Sequence, residues 1–294
     1  MTEQVEFNHL IELAMQANGR THMRPVIEKE LLHYDILFAL DQADLLDQLT
    51  FQGGTSLRLC YGSSRLSEDL DFAGGQHFAT VQLLRMKECL EDYLGERYGL
   101  EVSVKEPNQM RQDPCYSEIK IDKWQIAVTT APARKDIPKQ KIKLEVGNIS
   151  AYSRVPRPLL YNYEFLPDGY SDTLVLTESL EEVMADKLVS FVSCERHIRY
   201  RDIWDLQWLK QQGATVNPAM VQAKINDYHV DQYLVKLKTQ LENLVSIVAS
   251  KEFYNELSRF IPLDVQQRTI QKEKYLMFLT DEVKSMLLTV QNIF

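Results

Sequence analysis

The stretch from residue 51 to residue 72, FQGGTSLRLCYGSSRLSEDLDF, constrains this chain more than any other part of it. A short apolar piece, Leu49 to Phe51, runs into Gly53-Gly54-Thr55 and a helix-like segment from Ser56 to Tyr61 that ends at Gly62. A polar loop follows, then a second short strand around Leu70, Asp71 and Phe72, closed by Gly74-Gly75. Asp69 and Asp71 alternate on that strand, so their side chains leave one face about 6.5–7 Å apart and can converge on a hard cation. Magnesium takes one or two carboxylates and completes its shell with phosphate oxygens and water, which makes a nucleoside triphosphate the natural co-ligand. Glycines between a strand and a helix let backbone N–H groups approach an anion at the positive helix end. Gly53, Gly54, Thr55 and Ser56 are therefore the candidate phosphate cradle. Taken singly, a D-x-D is usually a solvated strand edge and a G-G-T usually a turn; the two together in one compact unit argue for a site.

The rest of the chain divides by pattern. Helical spacing is read over residues 3–17 and 25–47, the latter opening at Pro25. Residues 79–96 read as a helix, and period-two alternation over 100–104, 124–128 and 141–146 predicts half-buried strands. Residues 153–173 hold Pro156, Pro158, Pro167 and Gly169, a composition for a connecting segment or edge structure and the best candidate boundary. Beyond Thr177 helical spacing dominates, over 180–195, 201–212, 218–228, 231–249, around 253–260, and from Val265 to the end. The expected fold class is α/β (α+β) with a mixed sheet in residues 1–175, followed by an all-helical domain in 176–294.

Composition limits the function classes. With 294 residues, 45% hydrophobic, 26% charged, 11 Gly and 10 Pro, the chain is globular rather than disordered or low-complexity. The apolar runs are too short to span a bilayer, and the start lacks the pattern of a secretory signal, so a soluble cytoplasmic protein without membrane contact is expected. Cys60, Cys89, Cys115 and Cys194 stand far apart with no C-x-x-C pair, which suggests neither a zinc site nor a disulfide framework. A net charge of −9 argues against a surface that binds nucleic acid everywhere and leaves room for a local basic groove.

Gly53-Gly54-Thr55 with Ser67-Glu68-Asp69-Leu70-Asp71-Phe72 resembles the signature of the AbiEii/AbiGii abortive-infection toxins, a branch of the polymerase-β-like nucleotidyltransferase superfamily. Glu28-Lys29-Glu30 with the leucines up to Leu46, and Arg201-Asp202-Ile203-Trp204-Asp205, resemble that family as well, so the likeness covers most of residues 25–210. The resemblance implies a nucleotidyltransferase fold with a helical carboxyl domain, and a toxin of a type IV toxin–antitoxin system paired with a separately encoded antitoxin. Some related toxins add nucleotides to the 3′ end of transfer RNA.

The superfamily pattern expects a third carboxylate on a neighbouring strand. In residues 141–146 the apolar Ile142, Leu144 and Val146 point one way and leave Glu145 beside Lys143 on the other face, which makes Glu145 the candidate and Asp122 the reserve. Asp69, Asp71 and Glu145 would then hold Mg²⁺ or Mn²⁺, with Glu145 helping to activate the attacking hydroxyl. An exposed Lys/Glu strand face explains Glu145 equally well. Lys187 falls within the apolar stripe Leu180, Val183, Met184, Phe191 and needs an anion there; the resemblance makes that anion the triphosphate, against a snorkelling lysine with its head in water. Asp202 and Asp205 follow on one helix face, and one of them is expected to orient Lys187 while Arg201 faces phosphate or the acceptor; Arg201 could instead pair with Asp205. Arg65 and Ser67 in the loop before the metal strand are further candidates for the triphosphate.

Two basic patches, Arg134, Lys135, Lys139, Lys141, Lys143 and Arg196, His197, Arg199, Arg201, are candidate contacts for an RNA backbone or simply balance nearby acids. Trp204 and Trp208 read as core, and His33 and His197 as ordinary polar residues. The expectation is a Mg²⁺-dependent nucleotidyltransferase and toxin, moving a nucleoside monophosphate from an NTP to RNA, with the 3′ end of transfer RNA as the acceptor that the resemblance suggests. The competing readings are the same chemistry on a protein hydroxyl or a small molecule such as an aminoglycoside, and a non-catalytic nucleotide-binding module.

Overall fold

A computed structural model describes residues 6–16, 19–107, 120–134, 136–166, 169–194 and 197–292. Cys115, Lys135, Pro167 and Arg196 lie outside them. The chain forms two compact units, one holding the described residues up to Thr177 and the other those from Glu178 onward.

The first unit is built on a mixed seven-stranded sheet. Its strands are β1 (Thr50–Gln52), β2 (Leu70–Ala73), β3 (Val102–Lys105), β4 (Ile121–Val128), β5 (Gln140–Gly147), β6 (Val155–Pro158) and β7 (Leu174–Thr177), in the order β3-β4-β5-β2-β1-β7-β6. β2 runs parallel to β5 and β1 parallel to β7, and the remaining neighbours are antiparallel. Alternation divides the strands into a core face, with Trp124, Leu144, Leu70, Phe72 and Phe51 buried, and a more open face that carries the polar side chains. Phe51 stacks on Phe72 with ring centroids 5.0 Å apart. The proline-bearing segment supplies β6 at the edge of the sheet, where a missing N–H costs no ladder bond. β7, beside it, places the apolar Leu174, Val175 and Leu176 in succession and so lacks the period-two alternation that marks a strand in the sequence.

Helix α1 (Phe7–Met15) precedes α2 (Arg24–Gln42), which opens on Pro25 and stops short of the expected residue 47, with Asp44 in the left-handed region at φ 57°. α2 is buried almost all round, and each acid it carries inward has a counter-charge. Arg24 pairs with Glu28 at 2.9 Å, Arg58 grips Glu30 through two bonds of 2.9 Å, and Arg97 reaches Asp35 at 2.8 Å. Burial alone would raise the Glu30 carboxyl, but the Arg58 charge and hydrogen bonds hold it below its ordinary range. Arg58 belongs to α3 (Gly53–Tyr61), so this pair ties the glycine-turn helix to the core. The helix expected over 79–96 begins instead as a single 3-10 turn, Thr80–Leu83, and continues as α4 (Met86–Tyr98), closed by left-handed Gly99.

The second unit is helical throughout its described residues. It contains α5 (Leu180–Ser193), α6 (Tyr200–Gln211), α7 (Pro218–Asp227), α8 (Tyr233–Val248), α9 (Lys251–Ser258), α10 (Leu263–Arg268) and α11 (Glu273–Gln291). Ser179, Asn217 and Ser250 cap α5, α7 and α9 with side-chain oxygens. The run from Val265 onward is divided at Thr269, whose φ −124° and ψ −99° interrupt the helical path. Trp204 and Trp208 are buried in this unit's core. Among the described residues, no helix is long and apolar enough to cross a membrane.

Candidate active site

The glycine turn and the acidic strand are brought together by the pairing of β1 with β2, in which Gln52 opposes Asp71. Gly53 follows in the left-handed conformation, φ +77°, which turns the chain from strand into α3. A Cβ placed on Gly53 would stand 2.7 Å from Asp71 Oδ2, so the carboxylate rests directly over the bare glycine. One placed on Gly54 would run into the Arg65 guanidinium and lie 3.1 Å from Ser67 Oγ. Arg65 is buried, and its Nη1 donates to the Leu66 carbonyl at 2.9 Å. Gly53 thus leaves room for the Asp71 carboxylate of β2, and Gly54 for Arg65 and Ser67 of the loop before it. Gly53→Ala is expected to cost about 1–2 kcal/mol through the left-handed backbone and to displace Asp71, lowering transfer about a hundredfold. A thermal melt beside a transfer assay checks it; wild-type turnover would mean that Asp71 tolerates the shift.

Thr55 and Ser56 are buried, and their hydroxyls bond to backbone carbonyls. The Thr55 hydroxyl donates to the Asp69 carbonyl, pinning the strand entrance to α3, and Ser56 Oγ donates to the Gly53 carbonyl at 2.9 Å. Asp69 lies one residue before β2 begins and, like Asp71, is half-buried. Beside it, Lys29 Nζ meets Glu68 Oε1 at 2.8 Å, and His33 Nε2 is 3.1 Å from the Glu68 carbonyl. Burial pushes the His33 imidazole down to about 4, leaving it neutral beside the acidic loop.

Glu145 is the register partner of Asp71 across the parallel β2–β5 pair, so both carboxylates leave the open face side by side. On the other flank Lys123 of β4 is the register partner of Glu145, with its Nζ 3.2 Å from Glu145 Oε1. Asp122 is on the opposite face: it opposes Val146 in the core row, is buried, and accepts from the Thr80 hydroxyl. Among the described residues, no three His, Cys, Asp or Glu side chains converge closely enough to enclose a metal by themselves. A pair of carboxylates completed by phosphate and water oxygens is the donor set a magnesium ion uses with a nucleotide.

The helical unit contains the Lys187 cluster. Lys187 Nζ lies 2.7 Å from Asp202 Oδ1 and 3.0 Å from Asp205 Oδ2, so both aspartates hold it. Ser190 Oγ donates to Asp202 Oδ2 at 2.6 Å. Burial works to raise the Asp202 carboxyl, but the charges of Lys187 and Arg199 hold it below its usual range. Arg201 pairs with Glu256 at 3.3 Å and covers the Phe260 ring at 4.7 Å.

The basic patches divide. Arg134 forks onto Asp136, with bonds of 2.9 and 2.7 Å, and Lys139 meets Glu101 at 2.7 Å. Lys141 and Lys143 are exposed on the same face of β5 as Glu145, and Lys105 of β3 is in the row of Gln125 and Lys143. Lys123 and Gln52 complete the row of Glu145 and Asp71; neither is a site candidate from the sequence alone, although Gln52 stands next to Gly53. Alternation identifies the face each residue occupies but does not identify which strand lies beside it.

The sequence matches a family model described as nucleotidyl transferase AbiEii toxin, Type IV TA system, over residues 35–279. Among solved structures, it is similar to MenT4, a nucleotidyltransferase toxin from Mycobacterium tuberculosis H37Rv, at 18% identity over 98% of both chains with a TM-score of 0.57. JHP933 from Helicobacter pylori is 17% identical over 91% of this chain and 92% of that one, with a TM-score of 0.45. No protein of curated function matches the sequence.

Proposed function

Because this chain belongs to the AbiEii family of type IV toxin–antitoxin nucleotidyl transferases, we propose that it transfers a nucleoside monophosphate from an NTP to RNA, with the 3′ end of transfer RNA as the favoured acceptor. The observation that carries the reading is the pairing of Asp71 with Glu145 in one row, with the Asp71 carboxylate lying over Gly53. An anionic pair beside a glycine turn and a helix start matches what a metal–triphosphate complex requires.

Asp69 and Asp71, with Glu145, would hold Mg²⁺ or Mn²⁺, which when bound neutralises triphosphate charge and favours ionisation of the attacking hydroxyl. The backbone of Gly53 and Gly54 at the start of α3 receives the phosphates, and the Arg65 guanidinium and Ser67 hydroxyl beside Gly54 add donors. Glu145 accepts the proton of the acceptor hydroxyl, while Lys123 at 3.2 Å supplies its counter-charge. The acceptor oxygen forms a bond to the α-phosphorus, the bond between that phosphorus and the β-bridging oxygen breaks in line, and pyrophosphate leaves. Lys141, Lys143 and Lys105 on the Glu145 face favour a polyanionic acceptor, whereas a cationic drug would be met by acids. A separately encoded antitoxin is the proposed protein partner.

Lys187 remains a proposed triphosphate ligand, with Asp202 and Asp205 as its positioning residues. Lys187→Ala is expected to raise the KM for NTP and to lower stability, because it leaves two buried carboxylates facing one another. Lys187→Arg should recover the stability. Steady-state kinetics of both variants separate the roles: an unchanged KM in folded Lys187→Ala would restrict the residue to holding α5 against α6.

The test of the function is incubation with each α-labelled NTP, Mg²⁺ and total cellular RNA, beside an Asp69→Asn/Asp71→Asn control. Label on RNA that vanishes in the control is the expected result and names the nucleotide. Label on protein would redirect the acceptor, and no label with any NTP would count against transfer.

A further inference from the structure

The row that carries Lys123, Glu145 and Asp71 ends on β1 at Gln52, which pairs with Asp71 across the antiparallel β1–β2 ladder. Phe51, one residue earlier, turns to the other face and stacks on Phe72, so strand alternation aims Gln52 at the face of the carboxylates. Gln52 is also the residue before α3, with extended φ −133°, a position from which a side chain can cap the helix. It makes no side-chain cap bond, and its Oε1 is buried with no hydrogen-bond partner among the described residues. Buried acceptors are nearly always satisfied, and an unsatisfied one in a native fold calls for a water, ion or ligand.

The neighbours define that ligand. Next to Gln52 stands the Asp71 carboxylate, and next to that Glu145, both acceptors when ionised. A group that joins an amide oxygen to a carboxylate must bring protons or positive charge. A hydrated divalent ion brings both, because Mg²⁺ keeps several waters whose hydrogens point outward to acceptors. Gly53, the next residue, is held in its left-handed turn under the Asp71 carboxylate, so Gln52 is fixed in direction relative to Asp71.

We propose that Gln52 is a positioning residue of this site, its Oε1 accepting a hydrogen bond from a water of the divalent ion held by Asp71. The proposal rests on the reading of Asp71 as a metal ligand. Gln52 acts through the water shell and so orients the ion for the triphosphate, as outer-shell partners do at other metal centres.

The test uses the full chain without nucleotide or RNA, titrated with Mn²⁺ by calorimetry and thermal shift, comparing wild type, Gln52→Met, Gln52→Glu and Asp71→Asn. Gln52→Met keeps the length and removes the acceptor, so the metal-free Tm should be equal to or above wild type while the Mn²⁺ Kd weakens about tenfold. Gln52→Glu should tighten Mn²⁺ binding, since a charged acceptor replaces a neutral one. Transfer assays should show the Mg²⁺ requirement of Gln52→Met rising in parallel, with kcat at saturating metal near wild type. Wild-type Mn²⁺ affinity in Gln52→Met, with or without a lower metal-free Tm, would overturn the proposal if Asp71→Asn loses the metal, leaving the Asp71 reading intact. Should Gln52→Met fail to fold, an unchanged Mn²⁺ affinity in Gln52→Glu overturns it equally. Wild-type Mn²⁺ affinity in Asp71→Asn would overturn both readings together.

Discussion

Asp71→Asn is expected to lower nucleotide transfer about a thousandfold, because a metal-centred charge stabilises the transition state by several kcal/mol and each 1.4 kcal/mol or so is tenfold in rate. The fold should hardly notice. Asp71 is half-buried on the open face, and Asn preserves the volume that rests over Gly53. The charge that is lost faces Glu145, so the substitution also relieves a like-charge pair in the protein without metal. Asp69→Asn should act similarly, since the Thr55 hydroxyl grips its carbonyl rather than its carboxylate. Transfer assays with labelled NTP, beside circular-dichroism melts, check both. Near-wild-type turnover in a folded Asp71→Asn protein would remove the metal assignment and with it the proposed mechanism.

Lys224→Met is expected to cost about 3–5 kcal/mol of stability at neutral pH, the usual result of removing one partner from a buried ionic cluster. Lys224 is fully buried on α7, and its Nζ lies 2.8 Å from Glu178, 2.8 Å from Glu182 and 3.0 Å from Asp186. Burial alone would lower the lysine pKa, but the surrounding carboxylates, Asp186 and Glu178 foremost, raise it instead, so the ammonium stays charged. Burial, and then Asp186, push Glu178 well above the ordinary carboxyl range even with the lysine present. Without Lys224, Glu178 favours its protonated form still further in the folded state than in the unfolded one. The folded state of the variant then binds more protons, and its stability falls as pH rises through and above the ordinary carboxylate range. The deficit relative to wild type should therefore be largest at neutral pH and shrink toward pH 4. Denaturant melts of both proteins from pH 4 to pH 8 measure it; a deficit independent of pH would mean that lost packing, not unpaired charge, destabilises the variant.

The two sites differ in how far apart their members lie along the sequence. Asp69 and Asp71 are close in sequence to each other and to Gly53-Gly54, so a local pattern of strand, glycine turn and strand contains most of their chemistry. Glu145 was reachable because alternation in residues 141–146 separates its face from that of Ile142 and Leu144. Lys224 and its three acids gave no such signal. Glu178, Glu182 and Asp186 follow helical spacing, but the lysine that meets them arrives 38 residues after Asp186 on another helix. Lys187 shows an intermediate case. Its place in an apolar stripe demanded an anion, and Asp202 and Asp205 both supply one.

By itself the sequence determined the change from sheet to helix, the strand faces, the acidic pair and the glycine turn, because each depends on periodicity or on residues within a few positions of one another. Only the tertiary structure decided which strands are neighbours. Parallel pairing of β2 with β5 joins residues more than seventy positions apart, and no local propensity encodes that choice. It sets Asp71 beside Glu145, Lys123 beyond Glu145 and Gln52 at the other end, while the same ladder sends Asp122 to the core face. Strand register is settled by burying one whole face of the sheet at once, and the proposed catalytic row is the other face of that same packing solution.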